Sequence, residues 1–158
     1  MTHTFFCPPR LFAQYACAVD EVLEFVLAVK AAHREINRRF AMALRPLDIT
    51  VAQAEAILVL AESQPLSVKE LGAHVVAEAG NPSRLVDRLV TAGLVRRRAA
   101  LDDRRNVQLT LTTQGRKLAQ RIHQARQPLR DWGDRQLNGH GLDTMTASLQ
   151  QLVDNNRS

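Results

Sequence analysis

A chain of 158 residues, 46% of them hydrophobic and only 4% aromatic, can bury one sizeable core of Leu, Val, Ile and Ala, and is not a disordered polyelectrolyte. Its formal net charge of +5 favours a polyanionic partner without identifying one, and its 21 basic residues comprise 3 Lys and 18 Arg. No apolar run approaches the roughly 18 residues that a transmembrane helix needs, residues 1–12 lack the layout of a signal peptide, and Cys7 and Cys17 make no disulfide framework; a cytoplasmic protein with reduced thiols and no membrane partner is expected.

Residues 1–9 read as a loose tail ending in Cys7-Pro8-Pro9. Over 10–44 a helical period is carried by Tyr15, Val19, Val22, Leu23, Val26 and Val29, then by Ile36, Phe40 and Leu44, until Pro46 ends it. Residues 51–62 predict a second helix, with Thr50 as its N-cap and Ile57, Leu58 and Leu60 inward. Pro65-Leu66 leaves room for a very short strand, and Ser67-Val68-Lys69-Glu70 is a capping-box pattern that opens a third helix over 67–75.

A fourth helix is predicted from about Asn81 to Ala92, stopped by Gly93, with Asn81 as cap and Pro82 in the first turn. At 100° per residue, Leu85, Val86 and Leu89 share one face, while Arg84, Asp87, Arg88 and Thr91 share the other. The period then changes to alternation. Residues 94–98 form a strand candidate, 101–106 a polar turn, and Val107, Leu109 and Leu111 the inward positions of a half-buried strand. A helical pattern returns over 113–135, interrupted by Pro128, and 138–141 form a loop. Leu142, Met145, Leu149 and Leu152 mark a last helix.

This order predicts a mainly α fold with a small β-hairpin wing. The core is a winged helix-turn-helix, whose fourth helix suits the DNA major groove. Charge is concentrated accordingly. Residues 80–105 hold seven Arg and three Asp, a net +4 out of the chain's +5. Within a DNA-binding reading, 46–112 form the DNA-binding core. Residues 10–45 form an N-terminal dimerisation helix, and 113–158 form C-terminal dimerisation helices, because one small subunit cannot cover so long an apolar stripe.

Three text blocks of the core resemble the multiple antibiotic resistance regulator (MarR) family. They are Leu66-Ser67-Val68-Lys69-Glu70-Leu71, Ser83-Arg84-Leu85-Val86-Asp87-Arg88-Leu89-Val90, and Gly93-Leu94-Val95. Asp103-Arg104-Arg105, Leu111-Thr112 and Gly115 follow at the family's spacing. The resemblance implies a dimeric transcription regulator, commonly a repressor released from a palindromic operator by a small-molecule effector or an oxidant. It places Ser83, Arg84 and Arg88 at the DNA face of the fourth helix, and Arg104 or Arg105 at the minor groove, with Asp103 holding the other Arg; Asp87, on the same face by helical period, and Asn81, at the helix start, are DNA-binding candidates beside them. One departure is that Glu78-Ala79-Gly80-Asn81-Pro82 replaces the Ser/Thr-rich entry common in the family.

Other chemistry finds little support. Cys17 is a candidate redox residue, as in the hydroperoxide-sensing branch, but the local sequence matches that branch no further, and a structural cysteine is preferred. His3, His33, His74, His123 and His140 show no metal-ligand spacing, so neither metal nor cofactor is expected. There is no phosphate loop, nucleophile elbow or supported carboxylate pair, so no enzyme is expected. The competing readings are a winged-helix protein-interaction module and an oxidant-sensing repressor using Cys17.

Overall fold

A computed structural model describes residues 20–75, 81–99 and 107–154, in two units divided between Glu35 and Ile36. Helix α1 (Glu21–Leu44) runs through that division. It starts at Asp20, whose carboxylate accepts the Val22 N–H at 3.1 Å, and it places Glu21 and Glu24 in the first turn, where a helix dipole favours anions. In the first unit Val22, Leu23, Phe25, Val26, Leu27 and Val29 are all exposed. The tail at 1–9 and the helical pattern over 10–19 lie outside the described residues.

In the second unit α1 ends with Phe40 and Leu44 buried. A 3₁₀ turn, Arg45–Leu47, carries Pro46, which cannot supply the N–H that a continuing helix needs. Helix α2 (Val51–Ser63) starts at a capping box between Thr50 and Gln53, and it buries Ala54, Ala56, Ile57, Leu58 and Leu60. Helix α3 (Val68–His74) starts at a second capping box. The Ser67 N–H donates to the Glu70 carboxylate at 2.7 Å, and the Glu70 N–H donates to the Ser67 hydroxyl at 3.2 Å. Helix α4 (Pro82–Thr91) buries Leu85, Val86 and Leu89.

Helix α4 ends in a Schellman turn. Gly93, at φ 68°, donates to the Val90 carbonyl, and Leu94 donates to the Leu89 carbonyl, each at 2.9 Å. Strands β1 (Val95–Ala99) and β2 (Val107–Leu111) then pair antiparallel, with Val95 opposite Leu111, Arg97 opposite Leu109 and Ala99 opposite Val107. Leu66 forms the expected minimal strand as a bridge to Leu109, through bonds of 2.7 and 3.3 Å. Helices α5 (Thr113–Ala125), α6 (Gln127–Leu137) and α7 (Leu142–Asp154) follow, with Pro128 in the first turn of α6.

The inward role expected for Val107 is corrected. Leu109 and Leu111 are fully buried, but Val107 is 39% exposed, and its partner Ala99 is exposed too. Alternation fixes which face a side chain takes, and the hairpin extends past the core that would cover that face. The core is one cluster, from Phe40 and Leu44 through α2, Leu71, α4 and the hairpin base to Leu118, Ala119 and Ile122 of α5. Helix α7 adds nothing to it: Leu142, Met145, Leu149, Leu152 and Val153 are exposed. No described helix is long and apolar enough to cross a membrane.

These joints can be tested by substitution. Gly115, in the first turn of α5, lies so close to the Leu94 carbonyl oxygen that a Cβ there would collide with backbone. Gly115→Ala is expected to cost about 1–3 kcal/mol, read as a lowered Tm in a thermal melt; an unchanged Tm would mean that the contact yields freely. The Ser67 N–H, with the Ser67 hydroxyl second, holds the Glu70 carboxyl below its ordinary value. A carboxylate depressed in the folded state stabilises above its unfolded pKa, and that stability is lost as pH falls through the folded value. Glu70→Gln should therefore flatten the acid limb of urea midpoints measured across a pH series, and an identical acid limb in both proteins would exclude this cap from the acid response.

Candidate nucleic-acid interface

The outer face of α4 is built by its caps. The Asn81 carboxamide oxygen accepts the Ser83 N–H at 2.9 Å, so the helix begins at Pro82, which has no N–H to satisfy. A Cβ on Gly72 would lie 2.9 Å from Pro82 Cγ, so the small residue in α3 lets the start of α4 approach it closely. Asn81 and Pro82, which depart from the family pattern, therefore still supply a capped helix start. With Leu85, Val86 and Leu89 facing the core, Ser83, Arg84, Asp87, Arg88 and Thr91 are left exposed together on the opposite side. Asn81 is exposed at the head of that face.

The hairpin stands beside α4 and contributes Arg96, Arg97 and Arg98, all exposed. Arg96 Nε donates to the Thr110 hydroxyl across the strand pair at 3.1 Å. Arg97 reaches back to α4, where its Nη2 lies 2.8 Å from the Asp87 carboxylate. The sequence pattern set Asp87 on the outer face but did not pair it with Arg97. The available signal was that Asp87 is the one anion on that face, and that Arg97 shares a strand face with the buried Val95. Asp103, Arg104 and Arg105, expected on the wing, lie outside the described residues, as does Cys17.

The base of the hairpin is held by polar contacts. The Gln64 carboxamide oxygen accepts the Leu111 N–H at 2.8 Å, and the Thr112 hydroxyl donates to the Gly93 carbonyl at 2.7 Å. That hydroxyl also accepts the Gly115 N–H at 3.0 Å, which caps α5. Among the described residues there is no group of three or more His, Cys, Asp or Glu side chains that could hold a metal. The arrangement offers positive charge and hydrogen-bond donors on a rigid convex helix, which fits recognition of an anionic groove.

Residues 47–106 match the MarR family model. The transcriptional regulator SarZ of Staphylococcus saprophyticus is 32% identical over 85 residues, which cover 54% of this chain and 58% of that protein. The transcriptional regulator TtmR of Methylorubrum extorquens is 36% identical over 95 residues, covering 60% of this chain and 49% of that protein. The chain thus spans about half to three fifths of the length of these curated relatives. In fold it is similar to a single-substitution mutant of MarR from Escherichia coli, crystallised with operator DNA, at a TM-score of 0.75 and 25% identity over 87% of this chain and 99% of that one. By the family-model match over residues 47–106 and by this fold likeness, the chain is similar to regulators of the MarR family.

Proposed function

We propose that this chain is a sequence-specific DNA-binding transcription regulator: a dimeric repressor that binds a palindromic operator and leaves it when a small-molecule effector binds. The observation that carries the DNA-binding part is the α4 face, where Ser83, Arg84, Arg88 and Thr91 stand outward from a helix whose other side is locked into the core. An arginine-bearing hairpin stands beside it. The fold likeness to a MarR protein crystallised with operator DNA supports the same reading. Repression and release by an effector rest on family resemblance alone.

In this reading Arg84, near the start of α4, reads base edges in the major groove, and Ser83 and Arg88 contact base edges or phosphates. Asn81 both caps the helix and faces the DNA. Arg104 or Arg105 reaches the minor groove from the connection between β1 and β2, with Asp103 holding the other Arg. Residues 46–112 make the DNA-binding core, and the helices at 10–45 and 113–158 make the dimer. The apolar residues of α7 support that division, because they are exposed and add nothing to the core of the second unit. Two copies on a two-fold axis would read two half-sites about one helical turn apart.

Arg84→Ala tests the base-reading role. It is expected to cost about 1–3 kcal/mol on the selected operator and much less on random duplex, flattening discrimination; equal losses on both would make Arg84 a phosphate contact. Truncation after His140 tests the dimer. The shortened chain should scatter light as a monomer, or aggregate, and lose operator affinity, since one half-site supplies too few contacts for a Kd near ~10⁻⁸ M. A truncated chain that stays dimeric and keeps full operator affinity would remove α7 from the interface.

A further inference from the structure

The face of α4 that carries Arg84 and Arg88 also carries one anion. Asp87 lies between them in the chain and is exposed beside them. A carboxylate set toward a polyanion is repelled unless its charge is matched. Here Arg97 matches it: the guanidinium Nη2 lies 2.8 Å from Asp87 Oδ1. Register explains why Arg97 and not its neighbours does so. Arg97 shares a strand face with Val95 and stands opposite the buried Leu109, whereas Arg96 and Arg98 occupy the other face, opposite Thr110 and Gln108. The side chains of Arg97 and Asp87 are 40% and 59% exposed, so solvent screens the pair and it adds little to folding. Its consequence lies in the charge that α4 and the hairpin present together.

We propose that Asp87 is a specificity-determining positioning residue: by pairing with Arg97 it removes one cation from those able to neutralise DNA phosphates. The inference rests on the DNA-binding reading. Sequence-independent affinity grows with each phosphate neutralised, and it acts at every site in a genome. Base readout by Arg84 acts only at the matched site. An arginine neutralised within the protein lowers the first and spares the second, so the ratio between them rises. The pair also ties the middle of α4 to β1, so that helix and wing meet DNA in one fixed relation.

The test uses the full chain and random-sequence duplex DNA, titrated with salt between about 50 and 200 mM. It compares the parent with Asp87→Asn and with the double variant Asp87→Asn/Arg97→Gln. Asn is close to isosteric with Asp, and thermal melts confirm that each variant folds. Freeing Arg97 in Asp87→Asn should steepen the log–log salt slope by about 0.9 per subunit, which is a further ~3.5-fold loss of affinity per subunit across that salt range. The double variant should return to the parent slope. An unchanged slope in Asp87→Asn overturns the inference, as does a double variant as steep as Asp87→Asn, since the gain would then not pass through Arg97. Loss of affinity confined to duplexes with one cytosine position would make Asp87 a base reader, and also overturns it. A parent that binds no duplex overturns the DNA-binding reading and this inference together, whereas a parent that binds with the Asp87→Asn slope unchanged overturns this inference alone.

Discussion

Much of the second unit depends on the backbone of Leu94. Its N–H closes the Schellman turn that ends α4, and its carbonyl accepts the Thr112 N–H at 3.0 Å where β2 passes into α5. The first turn of α5 lies against that same carbonyl, closely enough that only Gly fits at position 115. The Leu94 side chain is buried in the core. One residue therefore joins α4, the hairpin and α5. Gly93 makes the joint possible, because a φ of 68° is open to glycine at little cost. A helix fixed in this way at its C-terminal end, and capped by Asn81 at the other, presents its outer side chains from a rigid base.

The polar surface follows from what that joint buries. With Leu85, Val86 and Leu89 of α4 committed to the core, the opposite face of the helix points out, and three of its residues carry charge: Arg84, Asp87 and Arg88. The strand face that turns toward α4 brings Arg97 to Asp87. Positive charge is thus distributed rather than merely concentrated. Arg84 and Arg88 have no side-chain partner among the described residues, while Arg97 is matched and Arg96 is tied to Thr110. A net charge summed along the sequence treats these arginines as equal, and the fold does not.

Local chemistry was legible where one turn of chain decides it. Ser67 forms the capping box expected of a hydroxyl followed three residues later by Glu, Thr50 caps α2 as expected and adds a box with Gln53, and Asn81 caps α4 as its position implied. The two faces of α4 follow directly from its 3.6-residue period. What was not legible depends on separation in the chain. The Asp87–Arg97 pair spans ten residues across a turn, and its formation requires the Schellman geometry as well as strand parity. Val107 obeys the alternation and still finds no cover, because a period of two cannot report where a core ends. Close approach at Gly115 and Gly72 is equally invisible in sequence, since it records which backbone or ring arrives there. The wing arginines at 104 and 105, their partner Asp103 and the thiol of Cys17 fall outside the described residues, so their assigned roles stand as proposals.

The terminal helices raise a different physical demand. Within the second unit the last fully buried residue is Ile122 of α5, with Leu129 of α6 packed against the core, yet α7 carries Leu142, Met145, Leu149 and Leu152 at helical spacing with all four exposed. Leu152 is 61% exposed, far from the near-zero values of the core leucines. The first unit repeats the pattern in Val22, Leu23, Phe25 and Val26. Apolar stripes of this length are costly in water and gain on the order of 25 cal/mol for each Å² they cover. Within the second unit, the apolar residues of the core are packed on one another and leave the α7 stripe exposed. A second copy of the chain would supply cover, and would do so by contacts remote from α4. In the proposed regulator, therefore, the reading of each half-site and the distance between half-sites are set by separate parts of the chain, so a change in the terminal helices would alter operator spacing while leaving base preference intact.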